Sequence, residues 1–110
     1  MKKVLIIEDS PEFQELCKTQ LTQAGYSVIQ AVNGKDGIAA ALTHKPQLIL
    51  LDIMLPHGLN GFDVLKKLKI HPALTKIPVI VFTNLESEEK TAFAMGAKDF
   101  IRKTDITIPQ

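Results

Sequence analysis

Val4-Leu5-Ile6-Ile7-Glu8-Asp9-Ser10-Pro11 is a strand that runs into an acid pair and then into a helix start. Four consecutive apolar residues suit a strand covered on both faces, because a half-solvated strand would alternate. Asp9 or Ser10 is placed to cap the helix, and Pro11 fits its first turn. Phe13, Leu16, Cys17, Leu21 and Ala24 then recur at helical spacing as far as Gly25, a helix stop. The unit is therefore strand, acidic rim, helix.

The unit repeats along the chain. Tyr26 to Ala31 reads as a second strand, and Asn33-Gly34 turns into a helix carrying Ile38, Ala41 and Leu42. Leu48 to Leu51 is a third buried run, ended by Asp52. Gly58 and Gly61 flank a loop before a helix around Phe62, Val64, Leu65 and Leu68. Val79 to Phe82 is a fourth strand, Glu86 to Met95 a fourth helix stopping at Gly96, and Phe100 to Arg102 a short fifth strand ending at Lys103. Helix-length crossovers between strands require parallel pairing. The expected fold is a doubly wound α/β domain over residues 1–110, with its site beyond the carboxyl ends of the strands at the switch in strand order.

Polar groups collect at that rim. The first strand ends in Glu8-Asp9, the third in Asp52, the fourth in Thr83 and the fifth in Lys103. With strand order 2-1-3-4-5, three carboxylates converge on one crevice, and they repel unless a cation joins them. Hard oxygen ligands without thiol or suitably placed imidazole favour Mg²⁺ over a transition metal. The Lys103 ammonium and Thr83 hydroxyl are placed to contact phosphoryl oxygens, and positioning plus charge neutralisation is most of what phosphoryl transfer needs. An aspartate carboxylate is a competent nucleophile for it, although geometry alone does not single out Asp52 as the acceptor.

Composition closes off other classes. The chain has 110 residues, is 45% apolar and carries a formal charge of +1, which gives no electrostatic case for nucleic acid or a membrane surface. No Trp and one Tyr leave few platforms for stacking bases. The single cysteine, Cys17, excludes an internal disulfide and suits core packing. The apolar run after Met1-Lys2-Lys3 is too short for a signal-peptide core, and no run reaches membrane-spanning length, so a cytoplasmic location is expected. His44, His57 and His71 fall in polar turns and are expected to be solvated. No G-x-x-x-x-G-K-[ST] occurs, which excludes a P-loop enzyme, and Glu8-Asp9-Ser10-Pro11-Glu12 is too acidic for a flavin-phosphate loop.

Glu8-Asp9, Asp52, Thr83 and Lys103 at successive strand ends resemble the receiver domain of two-component response regulators. So do Asp52-Ile53-Met54-Leu55-Pro56 followed by Gly61, and Gly96-Ala97-Lys98-Asp99-Phe100-Ile101-Arg102-Lys103. The likeness runs from Lys3 to Asp105. It implies a flavodoxin-like sheet and phosphorylation of Asp52 from a histidine kinase or phosphotransfer protein. It implies Mg²⁺ bound by Asp9, by Glu8 through water, by Asp52 and by the Met54 carbonyl. Lys103 and Thr83 would assist the transfer, and Thr83 with Phe100 would form the switch that reports to a downstream effector or output domain. The chain would then be a signalling domain that assists its own phosphotransfer and dephosphorylation, and not an enzyme in its own right. The alternative on the same scaffold is a phosphorylation-independent interaction or dimerisation module, which loss of Asp52 or Lys103 would have marked.

The sequence departs from that pattern in places. Glu8 stands where aspartate is commoner. Phe100 lacks a phenol, so a switch must work by burial of the ring. Thr104 follows Lys103 where proline is usual, and a cis bond there would cost roughly 3 kcal/mol. Only seven residues follow Lys103, so the fifth helix is expected to be absent or truncated, and the uncovered apolar face to promote a homodimer or lower stability. By the resemblance, Met54 and Leu85 occupy places that influence hydrolysis of the acyl phosphate; both are apolar here and cannot orient an attacking water, which implies a comparatively long-lived phosphorylated state.

Overall fold

A computed structural model describes residues 2–55, 58–83 and 88–102, with the backbone alone at Thr83 and Arg102. Among the described residues five strands alternate with helices: β1 (Lys3–Ile7), α1 (Pro11–Gln23), β2 (Ser27–Ala31), α2 (Gly34–His44), β3 (Leu48–Asp52), α3 (Gly61–Ile70), β4 (Val79–Thr83), α4 (Glu89–Ala94) and β5 (Asp99–Arg102). All strand pairs are parallel and the sheet order is β2-β1-β3-β4-β5. The doubly wound topology expected of the apolar runs is the one observed.

Local chemistry sets the helix ends. Of the two residues placed to cap α1, Ser10 does so: its hydroxyl accepts the Phe13 N–H at 3.3 Å, and Pro11 opens the first turn. Asn33 caps α2 through the Asp36 N–H at 2.8 Å. Asn60 and Asp63 form a reciprocal capping box on α3. Helix α1 closes with Tyr26 N–H to Leu21 O and Gly25 N–H to Thr22 O, both 3.0 Å, a motif that needs the left-handed backbone Gly25 adopts at φ 98°. The same pattern ends α4 at Gly96. Lys69 ties α3 to the following loop by donating to Ile77 O at 2.9 Å, and burial pushes its ammonium pKa down.

Two cores lie on opposite faces of the sheet. Leu5, Ile7, Ile49, Leu51, Val79 and Val81 pack with α2, α3 and α4 through Ala41, Val64, Leu65, Leu68 and Ala92. On the other face Val4, Ile6, Leu50 and Phe82 pack with α1 through Cys17. Helical spacing misplaces some residues at the edges of these faces. Leu16 and Leu42 are exposed at 45% and 38%, as is Ala24, while the polar Gln14 is buried at 4%. The inward stripe of α1 runs through positions 14, 17 and 21, and Leu16 sits beside it. In α2 the stripe is Gly34, Gly37 and Ala41, with close backbone approach in place of side-chain bulk. A methyl on Gly37 would come within 2.6 Å of Ile7 Cδ1. His44 is the exposed last residue of α2 and not a turn residue.

Lys45 ends α2 with φ at 45°, a left-handed conformation that costs a side-chain-bearing residue about 1 kcal/mol. Its side chain is exposed, so little packing is lost by removing it. Lys45→Gly is expected to raise stability by about 0.5 kcal/mol, after the extra entropy of unfolded glycine is subtracted. Thermal melting should show a rise of about 2 °C; a lower midpoint would contradict it.

The expectations placed on 56–57, 84–87 and 103–110 lie outside the described residues. They include His57, Leu85, Lys103, the bond before Thr104 and the fate of a fifth helix. The fourth helix is described from Glu89, not from Glu86.

Candidate functional site

Strand alternation decides where the acids point. On β1, Val4 and Ile6 face α1, so Glu8 continues that face one residue beyond the last pairing of the strand. On β3, Leu50 faces α1 and Asp52 follows it in phase. Ile7 pairs with Leu51 across the two strands, so Glu8 and Asp52 emerge level with one another. The crevice between β1 and β3 lies at the switch in strand order, where connections leave toward opposite faces of the sheet.

One carboxylate oxygen each from Glu8, Asp9 and Asp52 lies within 4.8 Å of the others. Glu8 is completely buried and Asp52 is 1% exposed, while Asp9 opens to solvent. The Glu8 carboxylate accepts the Asp9 N–H at 2.8 Å, and Asp52 Oδ1 accepts the Met54 N–H at 3.1 Å. Phe82, the register partner of Asp52, is wholly buried and stacks on Phe13 with ring centroids 4.9 Å apart. Below the acids the floor is thus apolar, which lowers the local dielectric and strengthens electrostatic interactions in the crevice. The donor set is all carboxylate, hard and anionic, and fits a hard divalent cation better than a soft one.

The remaining candidates are placed less completely. Met54 follows the acid by two residues with its side chain 60% exposed. Thr83 ends β4 opposite Arg102, and its backbone alone is described. Phe100 pairs with Val81 and packs half-buried against the α2–α3–α4 core. Lys103 follows the last residue of β5. His71 is half-buried at the end of α3, where its Nδ1 accepts the Ala73 N–H at 3.1 Å.

Two supporting residues escape a reading by residue type. Gln14 is polar and stands between Phe13 and Glu15, yet its spacing to Cys17 and Leu21 marks it as inward-facing. Its amide nitrogen donates to Ala31 O at 2.8 Å, Glu8 O at 2.9 Å and Ile6 O at 3.2 Å. Gly61 looks like an ordinary loop glycine, but its N–H donates at 2.9 Å to the carbonyl of Ile53, the residue after Asp52. A Cβ on it would collide with Ile53 Cα and the Asp52 carbonyl oxygen.

The family model described as "Response regulator receiver domain" matches residues 4–107. The chain belongs to this family. A receiver domain is a phosphoacceptor signalling domain of two-component systems, and phosphorylation-based signalling is its role. The chain is 36% identical to protein PilH of Pseudomonas aeruginosa over 105 residues, covering 94% of this chain and 86% of PilH. Other curated relatives are longer, and the receiver spans only 22 to 45% of them. The activated receiver domain of RstA from Klebsiella pneumoniae, with BeF3, superposes at a TM-score of 0.87 with 30% identity, covering 96% of this chain and 88% of that one. The Mn²⁺-bound form of the response regulator Rcp1 superposes at 0.85 with 26% identity, covering 96% and 84%. Among the described residues no helix is long and apolar enough to cross a membrane.

Proposed function

We propose that residues 1–110 act as one receiver unit in the cytoplasm, in which Asp52 is the phosphoryl acceptor and Glu8, Asp9 and Asp52 hold Mg²⁺. The observation that carries this reading is the convergence of three carboxylates within 4.8 Å, two of them buried, at the switch in strand order. That the response regulator Rcp1 has a Mn²⁺-bound form supports a divalent-ion reading. Glu8 and Asp9 are the acids just past the end of β1, and the Met54 carbonyl is the further oxygen proposed by resemblance. Bound there, Mg²⁺ supplies positive charge against the phosphoryl oxygens.

The work of the protein's own residues is positioning. The Met54 N–H donates to Asp52 Oδ1 and holds the carboxylate in place, and a carboxylate oxygen of Asp52 is the nucleophile. That oxygen forms the new O–P bond while the P–N bond of a phosphohistidine donor breaks. The imidazole nitrogen leaves with the bonding pair and is reprotonated. The buried apolar floor limits access of water from below. Lys103 and Thr83 are assigned to the phosphoryl oxygens, and Thr83 with Phe100 to the switch. Phe100 already packs against the core that α4 shares, so a change in its burial would be felt on the α4–β5 face.

Incubation with Mg²⁺ and acetyl phosphate tests the reading. Intact-mass spectrometry should show one added phosphate, and chelation of divalent cations should reduce the rate at least tenfold. Equal labelling with and without the metal would remove Mg²⁺ from the account.

A further inference from the structure

Glu8 lies one residue past the last ladder pair of β1, so the sheet itself does not fix its carbonyl. Gln14, reaching across from α1, donates to that carbonyl at 2.9 Å. The Glu8 N–H is bonded to Ala31 O at 3.0 Å, and Gln14 donates to the same Ala31 oxygen at 2.8 Å. Both backbone polar groups of Glu8 are therefore anchored around one side-chain amide. That amide is 4% exposed and has its own orientation set: Gln30 Nε2 donates to Gln14 Oε1 at 3.1 Å. The reversed amide would put an oxygen against three carbonyls and a nitrogen against a donor.

We propose that Gln14 is a positioning residue for the divalent-cation site, clamping the Glu8 backbone so that the Glu8 and Asp9 carboxylates stay aimed at the ion. This rests on the metal reading given above. The clamp has a direct route to the ligands. Fixing Glu8 fixes the start of its side chain, whose carboxylate in turn accepts the Asp9 N–H at 2.8 Å. Loss of the amide frees the peptide that joins the two acids, in a crevice where three carboxylates would otherwise spread apart. Supporting groups of this kind alter metal affinity by roughly 10- to 100-fold elsewhere.

A purely structural Gln14 would tie α1 to the sheet and nothing more, so affinity must be separated from stability. The experiment is Mn²⁺ titration followed by the electron paramagnetic resonance signal of the free ion, with thermal melting of each variant. Gln14→Met keeps the length and loses the donors; it should bind Mn²⁺ about tenfold more weakly. Cys17→Ala opens a cavity on the same buried stripe of α1; it should lower the melting midpoint and bind Mn²⁺ as wild type does. Wild-type affinity in folded Gln14→Met would overturn the proposal. If Gln14→Met does not fold, Gln30→Met decides, since it sits on the exposed edge of β2 and removes only the group that orients the amide. A smaller but measurable weakening is expected there, and unchanged affinity would overturn the proposal. Failure of wild type to bind Mn²⁺ would instead overturn the metal reading on which it rests.

Discussion

Asp52→Asn is expected to take up no phosphate from acetyl phosphate at any Mg²⁺ concentration, while keeping the fold. The amide is nearly the size of the carboxylate, and its oxygen can still accept the Met54 N–H that Asp52 Oδ1 receives at 3.1 Å. What disappears is the anionic oxygen that forms the bond to phosphorus, and an amide is too weak a nucleophile to replace it. Asp9→Asn gives the contrast that separates acceptor from metal ligand. It removes one of the three charges gathered within 4.8 Å but leaves the nucleophile in place. Its labelling should fall about tenfold at low Mg²⁺ and recover as the metal is raised, because ligand charge count sets affinity. Intact-mass spectrometry over a Mg²⁺ series distinguishes the two responses. Labelling of Asp52→Asn at high Mg²⁺ would mean that another residue accepts the phosphoryl group.

Gly61→Val should be among the most damaging single changes outside the acids. The backbone at Gly61 is not in the left-handed region, so the cost is steric and not conformational. Its neighbours are backbone atoms of Asp52 and Ile53, the nearest carbonyl carbon lying 2.9 Å from where a Cβ would stand. Backbone cannot move aside as a side-chain tip does. Helix α3 would have to lift from the end of β3, breaking the Gly61 N–H bond to Ile53 and loosening the buried Val64, Leu65 and Leu68. Overpacking of this kind costs about 3 kcal/mol, a fall of about 10 °C or more in the melting midpoint. Gly58→Ala is the control. Its φ of 97° makes the cost conformational, while nothing within 4 Å obstructs a methyl. It should lose only about 1 kcal/mol. Equal losses from the two substitutions would refute the steric account.

The strands were legible because a parallel sheet covered on both faces needs unbroken apolar runs, and Val4–Ile7, Leu48–Leu51 and Val79–Phe82 are such runs. The acids were legible for a related reason. Glu8, Asp9 and Asp52 interrupt those runs at the end where connections diverge, and a carboxylate at the end of a buried run calls for an explanation. Packing that residue type conceals was not legible. Gln14 looks like a solvent-facing helix residue until its three carbonyl partners are seen, although its spacing to Cys17 carried the signal. Gly37 and Gly61 are defined by what cannot fit beside them, and only coordinates reveal that. Leu16 and Leu42 show the converse error, since an apolar residue near the edge of a helical stripe can still face water.

The central claim is that Asp52 carries the phosphoryl group, and chemical mapping tests it most directly. An aspartyl phosphate is a mixed anhydride that borohydride reduces to the alcohol, converting the labelled aspartate into homoserine. The protein is labelled with acetyl phosphate and Mg²⁺, reduced, digested and sequenced by tandem mass spectrometry. Homoserine at position 52, and at no other carboxylate, is the predicted result. A reduced carboxylate at Asp9 or elsewhere, or a phosphate that survives reduction on His44 or His71, would contradict it.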